Sequence, residues 1–103
     1  MADTQPPKLS PAEATRKIRL ILDEGTVDYS FHCLHQRMPE RGVDTLDVEH
    51  LLGQGQVVRE AEWSDEYNNW KYKMEGADIE GDELAAITVI VDEDFSVFVI
   101  TVF

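Results

Sequence analysis

Apolar positions recur along this chain in two rhythms, and the change of rhythm divides it into a helical part and a strand-rich part. Ala14, Ile18, Ile21 and Leu22 share one face at helical spacing. The segment Ser10-Pro11-Ala12-Glu13 precedes them as a start signal: Ser10 can cap, Pro11 suits the first helical position and Glu13 can close a capping box. Gly25 supplies the stop. Thr26–Phe31 then alternates Val27, Tyr29 and Phe31 against Thr26, Asp28 and Ser30, the pattern of a half-buried strand. Cys33–Arg41 reads as a short helix carrying Leu34 and Met38, ended by Gly42. Pro39 lacks an N–H and would clash with the preceding turn, so two short turns are the alternative there. Asp44-Thr45-Leu46-Asp47 opens a third helix with Asp44 as cap, with Leu46, Val48, Leu51 and Leu52 available to the core and Gly53 and Gly55 behind them.

After Gly55 the period shortens to two. Gln56–Trp63 reads as a strand, followed by a turn over Ser64–Asn68. Asn69–Glu75 alternates Trp70, Tyr72 and Met74 against Lys71 and Lys73. Gly76–Glu83 is an acidic turn, Leu84–Val91 is a nearly continuous apolar strand suited to a central position, and Ser96–Phe103 is a last β-branched strand. Short connections between successive strands imply antiparallel pairing. The expected fold is α+β: three helices packed on a mainly antiparallel sheet of four or five strands. Residues 10–103 form one domain behind a flexible tail, Met1–Leu9, which contains Pro6-Pro7.

Charge narrows the functional classes. The 103 residues hold 21 acidic and 9 basic side chains, a formal charge of -12. Such a surface repels phosphate backbones and anionic membranes at long range, and it favours partners with basic patches. Cys33 is the single cysteine, which excludes an internal disulfide and any CxxC site. Met1–Lys8 lacks the apolar core and basic start of a signal peptide, and the longest apolar run is too short to span a bilayer. A cytoplasmic protein with no membrane association is the expectation.

The segments Tyr29-Ser30-Phe31-His32-Cys33, Arg37-Met38-Pro39-Glu40-Arg41-Gly42-Val43 and Asp47-Val48, with Leu52 and Gly55, carry a family resemblance. With Trp70-Lys71-Tyr72 and Ile100-Thr101-Val102, they resemble the bacterial domain-of-unknown-function family numbered 4258, over about residues 26–103. In that family a histidine usually sits four residues before the arginine of the Arg-Met pair. Counting back from Arg37 gives Cys33, whereas counting on from Ser30 gives His32. The resemblance implies a fold similar to the RelE/BrnT-like toxins of toxin–antitoxin systems, which are mostly small ribonucleases. It makes the first helix an N-terminal addition to the family core.

Candidate chemistry follows from the residue types. Cleaving RNA without a metal takes a base for the 2′-OH, a cation at the scissile phosphate and a proton donor for the leaving oxygen. Arg37, Lys71 or Lys73 can supply the cation and His32 or His35 the acid or base, with Arg41 and Arg59 as further cations. The competing reading makes Lys71 and Lys73 the solvated face of a sheet and Arg37 and Arg41 helix salt-bridge partners. His32, Cys33 and His35 offer zinc-type donors, but neighbouring residues on a helix do not share a face and structural zinc normally takes four ligands. No metal or cofactor is therefore expected. Cys33 as a nucleophile lacks an activating motif, and the eight acids between Glu75 and Asp94 lack calcium-loop spacing and read as solvated turns.

Two functions stay open on these grounds. One is a toxin-type ribonuclease that acts on RNA and pairs with an antitoxin-like protein. The other is a non-catalytic acidic interaction protein, immunity-like or accessory, that binds a basic protein partner.

Overall fold

The computed structural model describes residues 5–103. Three α-helices and a six-stranded sheet alternate along it. The elements are α1 (Pro11–Glu24), β1 (Thr26–Tyr29), α2 (Met38–Arg41), α3 (Thr45–Gln54), β2 (Gln56–Val57), β3 (Glu62–Ser64), β4 (Asn69–Ala77), β5 (Glu83–Val91) and β6 (Ser96–Val102). A π-helical stretch, Cys33–Arg37, leads into α2, and a 3-10 turn, Asp92–Asp94, joins β5 to β6. The α+β class and the three helices match the sequence expectation.

The strand count does not. Gln56–Trp63 is not one strand but two short ones, β2 and β3, and both pair antiparallel with the long β4. The run Val58–Ala61 between them contains the charged, exposed Arg59 and Glu60 and leaves the ladder. The sheet order is β1-β6-β5-β4-β2, with β3 also on β4. One pairing is parallel: β1 lies beside β6, with Asp28 opposite Phe98 and Tyr29 opposite Val99. The intervening helices and sheet supply the long connection that a parallel pair requires.

β1 also ends sooner than its alternation suggests. Ser30 breaks it and caps the next helix: its Oγ accepts the Cys33 N–H at 3.0 Å and donates to the Ile100 carbonyl at 2.7 Å. Phe31 therefore leaves the strand and stands 79% exposed. Pro39 is accommodated without breaking the helix. Met38 N–H bonds back five residues to the Cys33 carbonyl, and the widened turn ends just before the proline, which sits in the first turn of α2. Gly42 then closes it in the left-handed region at φ 69°.

All helices cover one side of the sheet. Ala14, Ile18 and Ile21 from α1 and Val48, Leu51 and Leu52 from α3 are buried against Tyr72, Met74, Ala86 and Val99. Leu46, expected to point inward, is instead 61% exposed. Both long helices carry complete capping boxes, Ser10 with Glu13 and Asp44 with Asp47. α1 is tied in by more than packing. Thr15 Oγ1 accepts the Val57 N–H at 2.9 Å, and Arg19 donates to the Gly55 carbonyl at 2.7 Å. At the end of α1 the backbone is so close to Phe95 that a Cβ on Gly25 would lie 2.1 Å from its carbonyl oxygen.

The expected tail, Met1–Leu9, lies partly outside the described residues. In its described part, Pro6 accepts a hydrogen bond from Trp70 Nε1 at 2.8 Å and Leu9 N–H donates to Tyr72 Oη at 2.9 Å.

Candidate functional site: the uncovered face of the sheet

Strand alternation decides which candidate residues can meet. Tyr72 and Met74 point into the helix-covered core, so Lys71 and Lys73 point to the other side. Among the described residues no helix covers that side. Across β4, β5, β6 and β1 the row through Lys71 runs to Val89, Phe98 and Asp28. The row through Lys73 runs to Ile87 and Thr101. The uncovered face is thus apolar at its centre, with cations towards one end and carboxylates towards the other.

At the cationic end, Arg41 and Lys73 line one cleft of about 550 Å³ with Glu75, Glu83 and Phe103. Arg41 reaches it from α2 by donating to the Glu83 carbonyl. Lys73 Nζ lies 5.0 Å from the centre of the Phe103 ring, within cation–π range. Carboxylates temper this end: Glu75 pairs with Arg59 at 3.0 Å, and Glu62 faces Lys71 in register across β3 and β4.

The histidines lie elsewhere. His32 and His35 are exposed on the helical segment that packs on the covered side of the sheet. His35 stacks against Phe31 with ring centres 4.2 Å apart. Arg37 pairs with Glu40 at 3.8 Å on the same segment. The structure therefore brings Arg41, Lys71 and Lys73 to one face and leaves His32, His35 and Arg37 on the other side. The zinc-type trio does not converge either, because Cys33 is fully buried while both histidines are exposed. Among the described residues no group of three or more His, Cys, Asp or Glu side chains is placed to hold a metal ion.

Burial pushes the Cys33 thiol up from its ordinary pKa, with Arg37 opposing, and a raised thiol is a poor nucleophile. The Tyr29 phenol is also raised, chiefly by burial and then by the charge of Glu49. Its buried oxygen has no hydrogen-bond partner among the described residues. The acidic turn between β4 and β5 is held by carboxylates, one of its own and one from α3. Asp78 accepts from Glu80 and Asp82 N–H groups at 3.0 and 2.9 Å, and Asp47 accepts from Ile79 N–H at 3.2 Å.

The acidic end of the uncovered face was not legible in the sequence. Asp28, Tyr67, Ser96 and Phe98 line a cleft of about 600 Å³ there, with Glu93 and Asp94. Asp28 and Phe98 are 70 positions apart and meet only through the parallel β1–β6 pair, which no local pattern announces. The alternation of β6, Val97 and Val99 inward against Ser96 and Phe98 outward, is the one sequence signal that points to this face.

A family model described as a domain of unknown function, DUF4258, matches residues 29–103. This chain belongs to the DUF4258 family. No curated protein and no solved structure matches it significantly. The match begins within β1, so α1 lies outside it, although Ala14, Ile18 and Ile21 are fully buried in the same core. In this DUF4258 chain the helical segment after Ser30 opens with a π turn. The π turn over Cys33–Arg37 takes up one more residue than an α turn, and it leaves His32 at the surface and Cys33 in the core. Among the described residues no helix is long and apolar enough to cross a membrane.

Proposed function

We propose that this DUF4258 protein is a non-catalytic interaction protein that engages a basic protein partner through the uncovered face of its sheet. The observation that carries the reading is the separation of the candidate catalytic groups. His32 and His35 lie on one side of the sheet and Lys71 and Lys73 on the other, so neither histidine stands beside those lysines. What the uncovered face does offer is an apolar centre with Ile87, Val89 and Phe98, bordered by carboxylates, in a molecule of formal charge -12. Long-range attraction steers a basic partner to such a molecule, and the apolar strip gives it area to bury.

The test is affinity capture at low and high salt with wild type and with an Ile87→Asp/Phe98→Asp variant. The reading expects basic proteins that are retained by wild type at low salt, released by salt and lost in the variant. Identical captures by the two proteins, or none that are basic, would count against it.

A second reading, a RelE/BrnT-like toxin that cleaves RNA, is favoured by one feature: Arg41 and Lys73 share a cleft, and Lys71 is next on the same face of β4. Those cations could hold a scissile phosphate. On this reading expression arrests growth, and Arg41→Ala/Lys73→Ala restores it together with intact RNA. Harmless expression of wild type and uncut RNA with pure protein oppose it.

A further inference from the structure

The cleft at the acidic end of the uncovered face has the makings of a specific subsite. Its floor is Val89, Val91 and Phe98, and Tyr67 stands over it with its ring centre 5.7 Å from that of Phe98, the planes tilted by 47°. Asp28 from β1 and Glu93 and Asp94 from the β5–β6 turn supply carboxylates at the rim. None of the three is in a salt bridge with a described residue.

A polar group sits inside as well. Ser96 lines the cleft and is 3% exposed. Its neighbour Val97 is buried in the core, so Ser96 faces the cleft, and no described residue hydrogen-bonds its hydroxyl. Aromatic faces, carboxylates unpaired among the described residues and the Ser96 hydroxyl together select a cation that carries N–H donors: a ring face attracts positive charge, and the oxygens accept the hydrogens. A volume of about 600 Å³ accommodates one such side chain with the backbone that bears it.

We infer that this cleft binds the guanidinium or ammonium group of an arginine or lysine presented by a basic peptide segment. The inference rests on the reading of the protein as a binder of basic partners and names the place where one basic side chain is held. The cation lies against Tyr67 and Phe98, paired with Asp28, Glu93 and Asp94, and Ser96 Oγ accepts one of its hydrogens. Asn68, also on the rim, has an amide side chain suited to a peptide backbone.

The probe is acetyl-Gly-Arg-Gly-amide titrated into the isotope-labelled full chain, with amide chemical shifts as readout and the neutral citrulline analogue as control. Saturable shifts gathered at Asp28, Tyr67, Asn68, Ser96 and Phe98 are expected, with none from citrulline. Phe98→Leu weakens binding roughly threefold, the scale of one exposed cation–π contact. Asp28→Asn weakens it, whereas Glu80→Gln on the distant turn, an equal change of charge, does not. Free agmatine, which lacks the peptide backbone, binds more weakly. Shifts spread over all the acidic turns, or an equal loss in Glu80→Gln, overturn the subsite and leave the broader interaction reading standing. Tighter binding of agmatine than of the peptide overturns the peptide as its source. The broader reading fails separately, if salt-sensitive capture of basic proteins is absent.

Discussion

The two faces of the sheet are built from the same strands and obey different rules. The covered face is filled by side chains at or near zero exposure, among them Met74, Ala86, Val97 and Val99. The uncovered face carries the half-exposed Ile87 and Phe98 beside a buried Val89, with Lys71 and Lys73 at one end and Asp28 at the other. An antiparallel sheet can keep one side solvated, and in that case the solvated side is normally polar. Here its middle rows are apolar instead: Ile87, Val89 and Phe98 follow one another across β5 and β6. One face of β4 to β6 therefore serves folding, and the other is free to serve binding.

Core truncation draws the sharpest contrast between them. Leu51→Ala removes a fully buried side chain beneath α3 and should cost about 2–5 kcal/mol. Ile87→Ala on the open face should cost well under half of that loss. Urea denaturation of the two variants side by side checks the difference, and equal losses would mean that the uncovered face is packed in solution.

The helix layer depends on its ends as well as its core. Ser10→Ala and Asp44→Ala each break a capping box and should each lower stability by about 1 kcal/mol. Their partners Glu13 and Asp47 have pKa values held below the ordinary carboxylate range, in both cases chiefly by backbone hydrogen bonds, from Ser10 and Asp44 respectively. A depressed folded pKa gives stability that is present above the unfolded value of about 4 and lost as pH falls through the folded one. Acid titration of stability should thus be shallower in Asp47→Asn than in wild type.

Tyr29 is a flaw in the covered face, since its buried hydroxyl has no partner among the described residues. Tyr29→Phe removes that oxygen and should hold or raise stability, by up to about 1 kcal/mol. The raised phenol pKa adds a sign in alkali. Stability from a neutral buried tyrosine is complete below the unfolded pKa of about 10 and declines as pH rises from there towards the folded value. Tyr29→Phe should remove that part of the alkaline decline, as thermal melts between pH 8 and about 11 would show. The smallest effects belong to the open face: Lys71→Ala and Lys73→Ala should alter stability by less than about 0.5 kcal/mol.

The contrast also explains what the sequence could tell. Helix starts were legible because Ser10-Pro11-Ala12-Glu13 and Asp44-Thr45-Leu46-Asp47 satisfy their own backbone locally. The alternation of β4 was legible too, and it put Lys71 and Lys73 on one side. Hidden were the features that depend on distant pairing. Phe31 looked like a strand residue until Ser30 proved to bond both Cys33 and Ile100. The split of β2 from β3 depends on where Gln56 and Glu62 meet β4. The cleft around Asp28 and Phe98 exists only because β1 runs parallel to β6. Local free energies write themselves into neighbouring residues, whereas the choice of strand partner is written across the whole chain.

The central claim is that the uncovered face binds while the covered face folds, and one paired measurement tests it most directly. Wild type and Ile87→Asp/Phe98→Asp are melted and then compared for salt-sensitive capture of basic proteins. The account predicts a cooperative fold in both proteins and capture by wild type alone. Unchanged capture by a folded variant would contradict it.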